Sequence, residues 1–390
     1  QGNDGIPNFN YIDMYTLVRG GQSMLPSFSG IGNPKITWET TTNFNLGLEF
    51  NLFQNRLNGE FNFYNKKTTD MLFWLSVPES MGVRGYYGNL GDIRNTGVEF
   101  TLNGDIIRTK NIVWSASANI SHNRAKALKL DPVKTAQYGG FSQADVNAGF
   151  NVPMWYAEGQ PLYNAMLADY AGVNDKGLPQ YWVDEDIYND YKAGKMSVSS
   201  KPGTKHSFLT TDWREATKYT HQMLPVANGG FTTSLRVYDF DVNLIFDYQI
   251  GGKIYDFGYA GLMGNVTTKS EGYNLSKDIL KAWTPDNTSS DIPRFMYTDQ
   301  DMTAQSTRFL TSARYLNFQS FTVGYSVPAK IARALMLSKI RIYVQGQNLC
   351  FWSARKGLDP RYSYGASGNN GASSDYPAMR TVTAGVQVTF

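Results

Sequence analysis

The feature that most constrains this chain is a strict alternation of apolar and polar residues that recurs along its length. Residues 43–52 show it most clearly, because Phe44, Leu46, Leu48 and Phe50 are separated by polar residues or glycine. In a β-strand, successive side chains point to opposite faces, so such a segment has one apolar and one polar face. A length of about ten residues matches a tilted membrane-crossing strand better than the usual five or six.

Other segments repeat the alternation. Segment 316–325 changes its apolar parity between Phe318 and Phe321, which predicts a β-bulge near Gln319 and Ser320. Pro328 then predicts the start of a helical turn. Together the segments predict an all-β fold of about eleven strands. The clear ones lie at 43–52, 57–63, 98–103, 114–121, 231–237, 240–250, 316–325, 340–345 and 381–390, and two weaker ones at 152–157 and 162–171.

Connections of two lengths alternate along the chain. Short turns are predicted at 54–56, 104–111, 159–161 and 238–239, and long polar stretches near 67–95, 125–150, 173–228, 253–307 and 349–378. Short turns at one end of the strands and long loops at the other are typical of outer-membrane barrels. A sheet that crosses a lipid bilayer must also close into a barrel, because unpaired backbone groups at a sheet edge are costly in lipid. The pattern therefore predicts a transmembrane β-barrel.

The odd strand count bears on domain organisation. If the C-terminal strand runs towards the periplasm, the first strand runs the same way, and such a set cannot close as an ordinary even-numbered barrel. We therefore expect this chain to be part of a larger barrel whose N-terminal portion is missing. On this interpretation Gln1 is an interior position and Phe390 is the natural end.

Composition excludes several other classes of protein. Hydrophobic residues at 42% and aromatic residues at 14% are too frequent for a disordered chain. The single cysteine excludes a disulfide framework and multi-cysteine metal sites. With 36 basic and 33 acidic residues, no basic surface for nucleic acid is predicted. The mean hydropathy of −0.38 fits a wall with one wet face and long polar loops.

Several motifs occur in order over nearly the whole chain. They are Asn-Pro-Lys-Ile-Thr-Trp-Glu at 33–39, Asn-Thr-Gly-Val-Glu at 95–99, Gly-Gly-Phe-Thr-Thr at 229–233, Tyr-Gln-Ile-Gly-Gly-Lys at 248–253, Val-Gln-Gly-Gln-Asn-Leu at 344–349 and Gly-Leu-Asp-Pro at 357–360. Tyr376, Pro377, Arg380 and Phe390 form the closing segment. In these motifs the chain resembles the C-terminal part of SusC/RagA-type TonB-dependent outer-membrane transporters of Bacteroidota.

The resemblance implies TonB-dependent import of a bulky nutrient, an oligosaccharide or an oligopeptide, across the outer membrane. It implies a SusD-like surface lipoprotein that covers the extracellular loops, and contact with outer-membrane lipid. It also implies that residues 1–390 are the C-terminal half of a barrel of about 22 strands. The N-terminal strands, the plug domain and the TonB box, which couple such receptors to TonB, are on this interpretation absent from this chain. No enzyme activity, cofactor or metal is implied. A passive porin-like channel and an outer-membrane hydrolase are the alternatives.

Two groups of side chains are candidates for ligand contact. Aromatic residues of the long loops could stack on sugar faces or contact the lipoprotein, although packing of the loops against one another competes with this interpretation. They are Tyr181, Trp182, Trp213, Trp352, Tyr362 and Tyr364. Charged residues on the polar faces of strands are expected to line the lumen and to contact the plug or the substrate. They are Glu49, Glu99, Arg236, Asp241, Asp247 and Arg341.

Other candidate sites have weaker support. No metalloprotease, serine-hydrolase or phosphate-loop motif occurs in the sequence. His122, near a strand end, is the histidine best placed for a hydrolase, but a solvated or lumen-facing histidine is the favoured interpretation. Asp184 and its acidic neighbours lack the glycine and spacing of a calcium loop, which favours a solvated loop. Trp38, Trp74, Trp114 and Tyr325 are predicted to lie at the membrane interfaces.

Overall fold

Strands dominate the computed structural model, which describes residues 8–20, 23–77, 79–83, 85–144, 152–264, 274–296, 304–361 and 378–390. In chain order the strands are β1 (Met14–Gly20), β2 (Ser23–Gly30), β3 (Thr40–Leu52), β4 (Leu57–Thr69), β5 (Leu72–Ser76), β6 (Gly85–Asn89), β7 (Asp92–Arg108), β8 (Ile112–Lys129), β9 (Gly140–Ala144), β10 (Pro153–Ala157), β11 (Asn164–Ala168), β12 (Tyr170–Val173), β13 (Pro179–Val183), β14 (Phe208–Thr210), β15 (Lys218–Gln222), β16 (Ala227–Val237), β17 (Phe240–Ile250), β18 (Lys253–Tyr255), β19 (Leu310–Ser312), β20 (Tyr315–Ser326), β21 (Lys339–Ser353) and β22 (Thr381–Thr389). The α-helices are α1 (Pro132–Thr135), α2 (Glu185–Lys192), α3 (Phe257–Leu262) and α4 (Ala329–Ala334), and 3₁₀ turns lie at Glu79–Met81, Lys277–Lys281 and Thr307–Phe309.

Nine strands form one continuous sheet, here called the wall. Its order is β3-β4-β7-β8-β16-β17-β20-β21-β22. Every neighbouring pair is antiparallel, so the two edge strands run in the same direction. The longest wall strand, β8, has 18 residues, about three times the usual strand length. The all-β prediction is therefore confirmed, and the described part of the wall contains an odd number of strands.

The connections between wall strands are sorted by length, as predicted. The β3–β4, β7–β8, β16–β17 and β20–β21 connections are short and lie at one end of the wall. The other four connections are long and lie at the opposite end, because consecutive antiparallel strands alternate in direction. Helix α4 occupies the longest of the short connections and starts directly after Pro328, where the sequence predicts a helical turn.

The alternating apolar residues of the wall share one exposed surface, here called the apolar face. Leu48 is 62% exposed and Val386 is 63% exposed, although both belong to long apolar rows of their strands. Three neighbouring strands contribute stacked rings, with centroids 4.5 Å apart for Phe231 and Phe246 and 4.6 Å apart for Phe246 and Phe318. The register shift beside Phe318 confirms the predicted β-bulge, which keeps this ring in the row. Continuous apolar exposure of this extent marks a surface that lies against another apolar phase.

The buried core lies outside the wall, in the long connections. Residues 130–144, 152–226, 251–264, 274–296, 304–314 and 354–361 are here called the loop layer. Its main apolar cluster joins remote segments, and includes Met154, Leu167, Met223, Tyr255 and Met263. A second cluster surrounds Tyr181 and Ala216. Hydrophobic burial therefore stabilises the loops as a folded layer over one end of the wall.

The two weaker strands predicted at 152–157 and 162–171 do not belong to the wall. They correspond to β10 and β11, which lie in a separate four-stranded sheet in the order β15-β11-β10-β9. All five residues of β11 are buried, so both of its faces are covered by the loop layer. Burial on both faces removes the polar requirement on alternate positions, and this explains why the alternation is weak there. The turn at 159–161 accordingly lies on the loop side.

A hairpin of β1 and β2 was not predicted from the sequence. The two strands pair only with each other among the described residues. Pro26 and the closing glycine interrupt the alternation in β2, which removes the usual strand signal. The segment between this hairpin and β3 contacts the long connection between β4 and β7, because the backbone N–H of Thr37 donates to Asn89 Oδ1 of β6 at 2.8 Å. No helix among the described residues has the length and apolar character needed to cross a membrane.

Candidate functional site

The side chains on the other surface of the wall form its polar face. All six charged residues predicted to line a lumen have the strand parity of this face. Glu49 lies opposite Glu60, and Glu99 lies opposite Asn62 on the adjacent strand. Asn62 Nδ2 donates to Glu60 Oε1 at 2.5 Å. Carboxylates are therefore concentrated on β3, β4 and β7. A role for any of the six in contacting a plug or substrate stays a prediction.

At the short-turn end, Asp241 of β17 and Arg341 of β21 form an ion pair that crosses the intervening strand. Arg341 Nε donates to Asp241 Oδ1 at 3.1 Å and Nη2 donates to Oδ2 at 2.5 Å. This bidentate arrangement fixes the orientation of the Arg341 guanidinium relative to the Asp241 carboxylate. The pair passes over Gly324 of β20, whose register partner on β17 is Asp241, and Asp241 also lies opposite Arg236 of β16.

Replacing Gly324 with alanine is expected to disrupt this ion pair. A Cβ on Gly324 would lie 2.6 Å from Asp241 Oδ1 and closer still to the Arg341 guanidinium. We expect Gly324→Ala to lower the free energy of unfolding by about 1–3 kcal/mol, the usual cost of overpacking. Thermal unfolding in detergent measures it, and Gly261→Ala is the control because no atom lies within 4 Å of its added Cβ. Equal unfolding temperatures for both variants would contradict the expectation.

The polar face has two recesses. The upper recess, about 400 Å³, lies near the long-loop ends of β8, β16, β17 and β20. The lower recess, about 240 Å³, lies towards the short turns of β4, β7, β8 and β16. In the lower recess, Asn103 Nδ2 donates to Asn58 Oδ1 at 3.0 Å and Ser117 Oγ donates to Asn103 Oδ1 at 2.6 Å. Residues lining the upper recess include Asn119, Asn228, Thr232, Ile245, Asp247, Tyr315 and Gln319.

Asp247 is the charged residue of the upper recess, and a neighbour on β20 orients it. Asn317 Nδ2 donates to Asp247 Oδ1 at 2.7 Å, and Asn317 itself is 1% exposed. Asn119 Oδ1 accepts from the backbone N–H of Gly230 at 3.1 Å, and Asn228 Oδ1 accepts from Ser121 Oγ at 3.1 Å. Both asparagines therefore keep their amide N–H groups available to the recess.

The predicted loop aromatics are placed very differently from one another. Tyr181 is 1% exposed and packs against Ala168, Ala216 and Ala304, so its ring supports the loop layer and presents no free face to a ligand. Trp182, the next residue on the strand, is half-buried and stacks on His206 with ring centroids 4.9 Å apart. One face of the Trp182 indole is therefore already covered.

The remaining loop aromatics are dispersed. Trp213 packs against the cluster that contains Tyr181, and its buried indole Nε1 has no hydrogen-bond partner among the described residues. Trp352 is 53% exposed at the loop end of β21. Tyr362 and Tyr364 lie outside the described residues. Of the described candidates, the structure brings Tyr181 and Trp213 together in one packed cluster. A ligand role for Trp182, Trp213 or Trp352 stays a prediction.

A cluster that the sequence did not reveal joins two histidines to one carboxylate in the loop layer. His206 Nε2 lies 3.0 Å from Asp169 Oδ2, and His221 Nε2 lies 2.7 Å from Asp169 Oδ1. The aspartate accepts both contacts, because an ionised carboxylate has only acceptors. The histidines lie 37 and 52 residues from Asp169 along the chain, so no local spacing could have shown the cluster. His122 lies elsewhere, with Nδ1 2.5 Å from Val226 O.

Asp184, considered above as part of an acidic cluster, is a structural residue. It is 3% exposed, and its side chain caps α2 by accepting from the backbone N–H of Asp186. Burial acts to raise the pKa of Asp184, but the backbone N–H groups of Thr204, Lys205 and Asp186 outweigh burial and hold that pKa below its usual value. The expectation of a solvated loop is therefore wrong for Asp184. Among the described residues, no group of three metal-ligating side chains is placed to hold a metal ion.

Lys218 is a half-buried cation of the loop layer. Burial lowers the pKa of Lys218 to about 8, and Nζ donates only to Trp213 O, at 3.3 Å, among the described residues. The folded-state pKa of Lys218 lies below its ordinary value of 10.5, so the charged form of Lys218 destabilises the folded state. The whole of this free-energy cost is present below about pH 8. This cost declines as the pH rises from about 8 and is gone above about 10.5, where the amine is neutral in both states.

Lys218→Met is therefore expected to stabilise the loop layer by about 1–3 kcal/mol at pH 7. The gain should disappear when the pH is raised above about 10.5. Urea unfolding followed by tryptophan fluorescence at several pH values measures the difference. The exposed Lys176 supplies the control variant, Lys176→Met, which replaces a lysine at the surface of the loop layer. A gain for Lys218→Met that is independent of pH would contradict the expectation.

Comparison with known proteins places the wall among described barrels. The sequence profile described as "TonB dependent receptor-like, beta-barrel" matches residues 5–192. TonB-dependent receptor P3 of Formosa agariphila is 28% identical over 398 aligned positions, which include 97% of this chain and 37% of the receptor. TonB-dependent receptor SusC of Bacteroides thetaiotaomicron is 23% identical, with 92% of this chain and 32% of SusC covered.

Solved structures agree with the sequence relatives. The structure of the RagAB peptide transporter superposes on all of this chain with a TM-score of 0.78 and 27% identity, and 40% of that chain is covered. Its "open-open" state gives a TM-score of 0.79 with 39% coverage. The chain thus spans about 40% of the length of the proteins that it matches. The predicted partial barrel is confirmed by this match.

Proposed function

Because this chain is a barrel segment of the SusC/RagA-type TonB-dependent receptors, we propose that it forms the C-terminal portion of an outer-membrane importer for a bulky nutrient. Proteins of this family are outer-membrane transporters and not enzymes. The nutrient is an oligosaccharide or an oligopeptide. The complete receptor has a barrel of about 22 strands, of which this chain contributes the C-terminal half. A plug domain lies inside that barrel, and TonB supplies the energy through the N-terminal region of the receptor.

The observation that carries the proposal is the division of the wall into two faces. Its apolar face is exposed over nine strands, which suits acyl chains, and its polar face carries charged and amide side chains, which suits a water-filled interior. A soluble protein would bury the apolar face. The sorting of short turns from long loops gives the wall a defined orientation, with the loop layer on the cell surface.

A SusD-like surface lipoprotein is the proposed partner at the loop layer. This layer has its own apolar core, so it offers a folded surface rather than a set of loose loops. Trp352 and the hairpin of β1 and β2 present exposed apolar side chains at the same end of the wall. Aromatic residues are enriched where two proteins meet. A lid seated there would hold a nutrient above the polar face.

The test is energised uptake by cells that carry the complete receptor and its lipoprotein. Fluorescently labelled oligosaccharides and oligopeptides are supplied as two separate pools. We expect accumulation of one pool, abolished by deletion of the receptor or of TonB. Accumulation that persists without TonB would favour the passive channel, and accumulation that is unaffected by loss of the receptor would overturn the proposal.

A further inference from the structure

The upper recess of the polar face has a chemistry that distinguishes it from the rest of the wall. It opens directly beneath the loop layer, because Tyr315 begins β20 and Gln249 Nε2 donates to Ala313 O of the loop layer at 2.8 Å. Any solute that passes from the loop layer along the polar face would meet this recess first. Its lining includes one carboxylate and no basic side chain.

The recess holds hydrogen-bonding groups that are not used within the described part of the protein. Gln319 is exposed and its side-chain amide makes no hydrogen bond to the described residues. Asn119 and Asn228 use their amide oxygens only, so two further amide donors remain. The lower recess differs, because Asn58, Asn103 and Ser117 are bonded to one another there. The upper recess is therefore prepared for a ligand, whereas the lower one is largely satisfied internally.

These groups match vicinal hydroxyls. A side-chain amide offers a donor and an acceptor close together, and a sugar hydroxyl both donates and accepts, so amides and a carboxylate pair well with neighbouring hydroxyls. Ile245 and the ring of Tyr315 add apolar surface for the C–H face of a sugar ring. Tyr315 is held in place by its stack on Phe351, with ring centroids 5.4 Å apart.

A peptide is a poorer match to the same recess. Extended peptides are commonly recognised through backbone hydrogen bonds at a free strand edge. The four strands here are interior strands of the wall, whose backbone groups are bonded to neighbours on both sides. A basic side chain for a peptide carboxylate is also absent from the lining, as it is for an anionic sugar.

We infer that the upper recess binds a neutral sugar segment of the imported nutrient, with Asp247 and Gln319 as the principal hydrogen-bonding residues. This inference rests on the proposed function and names the substrate class. Asn317 acts as a positioning residue, because its Nδ2 holds Asp247 Oδ1 at 2.7 Å from beneath the recess. The site implies selection in the wall itself, in addition to any selection by the lipoprotein.

Isothermal titration calorimetry on the purified complete receptor tests the inference. The probes are neutral hexasaccharides of glucose, xylose, mannose and galactose, and a pool of decapeptides serves as comparison. We expect one of the hexasaccharides to bind, and Asp247→Asn and Gln319→Ala each to weaken it about tenfold, as for loss of a hydrogen bond to a charged or buried group. Glu60→Gln is the matched control, since it neutralises a carboxylate of the polar face on β4, outside the recess.

Several results would overturn the inference. Hexasaccharide affinity that is unchanged in both recess variants excludes the site. Failure of every hexasaccharide to bind excludes a neutral sugar as the ligand of the recess. If energised uptake of the labelled nutrient continues in that case, the proposed import function still holds and only the recess inference is wrong. A lower unfolding temperature for Asp247→Asn with unchanged affinity would assign the recess to contact with another part of the receptor.

Discussion

Arginine in place of Leu244 is expected to prevent stable insertion of the receptor into a bilayer, whereas arginine in place of the adjacent Asn243 is expected to be tolerated. Leu244 lies in the middle of β17 on the apolar face, opposite Thr233 and Phe321. A lipid-facing arginine near the bilayer midplane costs about 2–4 kcal/mol, and the cost on a water-filled face is far smaller.

Asn243 is a closely matched control for this experiment. It belongs to the same strand and points to the polar face, and its amide oxygen has no hydrogen-bond partner in the part of the chain that the structure describes. Both receptors are refolded into phospholipid vesicles over a range of urea concentrations, and the folded fraction is measured by heat-modifiable mobility on gels. Equal losses for Leu244→Arg and Asn243→Arg would contradict the assignment of the two faces.

Removal of the Arg355 side chain is expected to release residues 354–361 from the rest of the loop layer. Arg355 Nε donates to Asp256 Oδ2 at 2.8 Å, its Nη2 donates to the same oxygen, and the carboxylate side chain is 2% exposed. Asp256 also caps α3 by accepting from the backbone N–H of Tyr259. Arg355→Ala leaves a buried charge without its cation, at a cost of about 3–5 kcal/mol.

Hydrogen exchange read by mass spectrometry detects this release, because local opening exposes backbone amides. We expect faster exchange in residues 253–262, 310–314 and 354–361, where Leu358 packs against Ile254 and Ala313. The control is Lys281→Ala, which removes an ion pair with Asp278 whose lysine side chain is 74% exposed, and such pairs contribute little. If exchange is the same in both variants, the buried pair does not hold the segment.

The features that could be predicted from the sequence are those that depend on strand parity. The lipid-facing residues, the charged residues of the polar face and the bulge beside Phe318 all follow from the two-residue period of a strand. Even Tyr181 and Trp182 obey it, since the first is buried and the second is half-exposed on the same strand. Membrane strands keep this period because each face meets a different solvent.

The loop layer could not be predicted in the same way. Its strand β11 is buried on both faces, so the alternation is weak there. The cluster of Asp169, His206 and His221 depends on packing between segments far apart in the chain. The upper recess also requires four strands in correct register, and the register between non-consecutive strands such as β8 and β16 follows from the fold as a whole.

The most direct test of the central claim compares Val323 and Thr322, neighbours on β20 that lie on the apolar and the polar face. In a receptor carrying Cys350→Ser, which removes the single thiol of this chain, and no other cysteine, Val323→Cys and Thr322→Cys are each labelled with a nitroxide in liposomes. Electron paramagnetic resonance then measures relaxation by oxygen, which concentrates in lipid, and by a water-soluble nickel chelate. The two-faced wall predicts preferential oxygen contact at position 323 and preferential nickel contact at position 322. Equal or reversed accessibilities would contradict it.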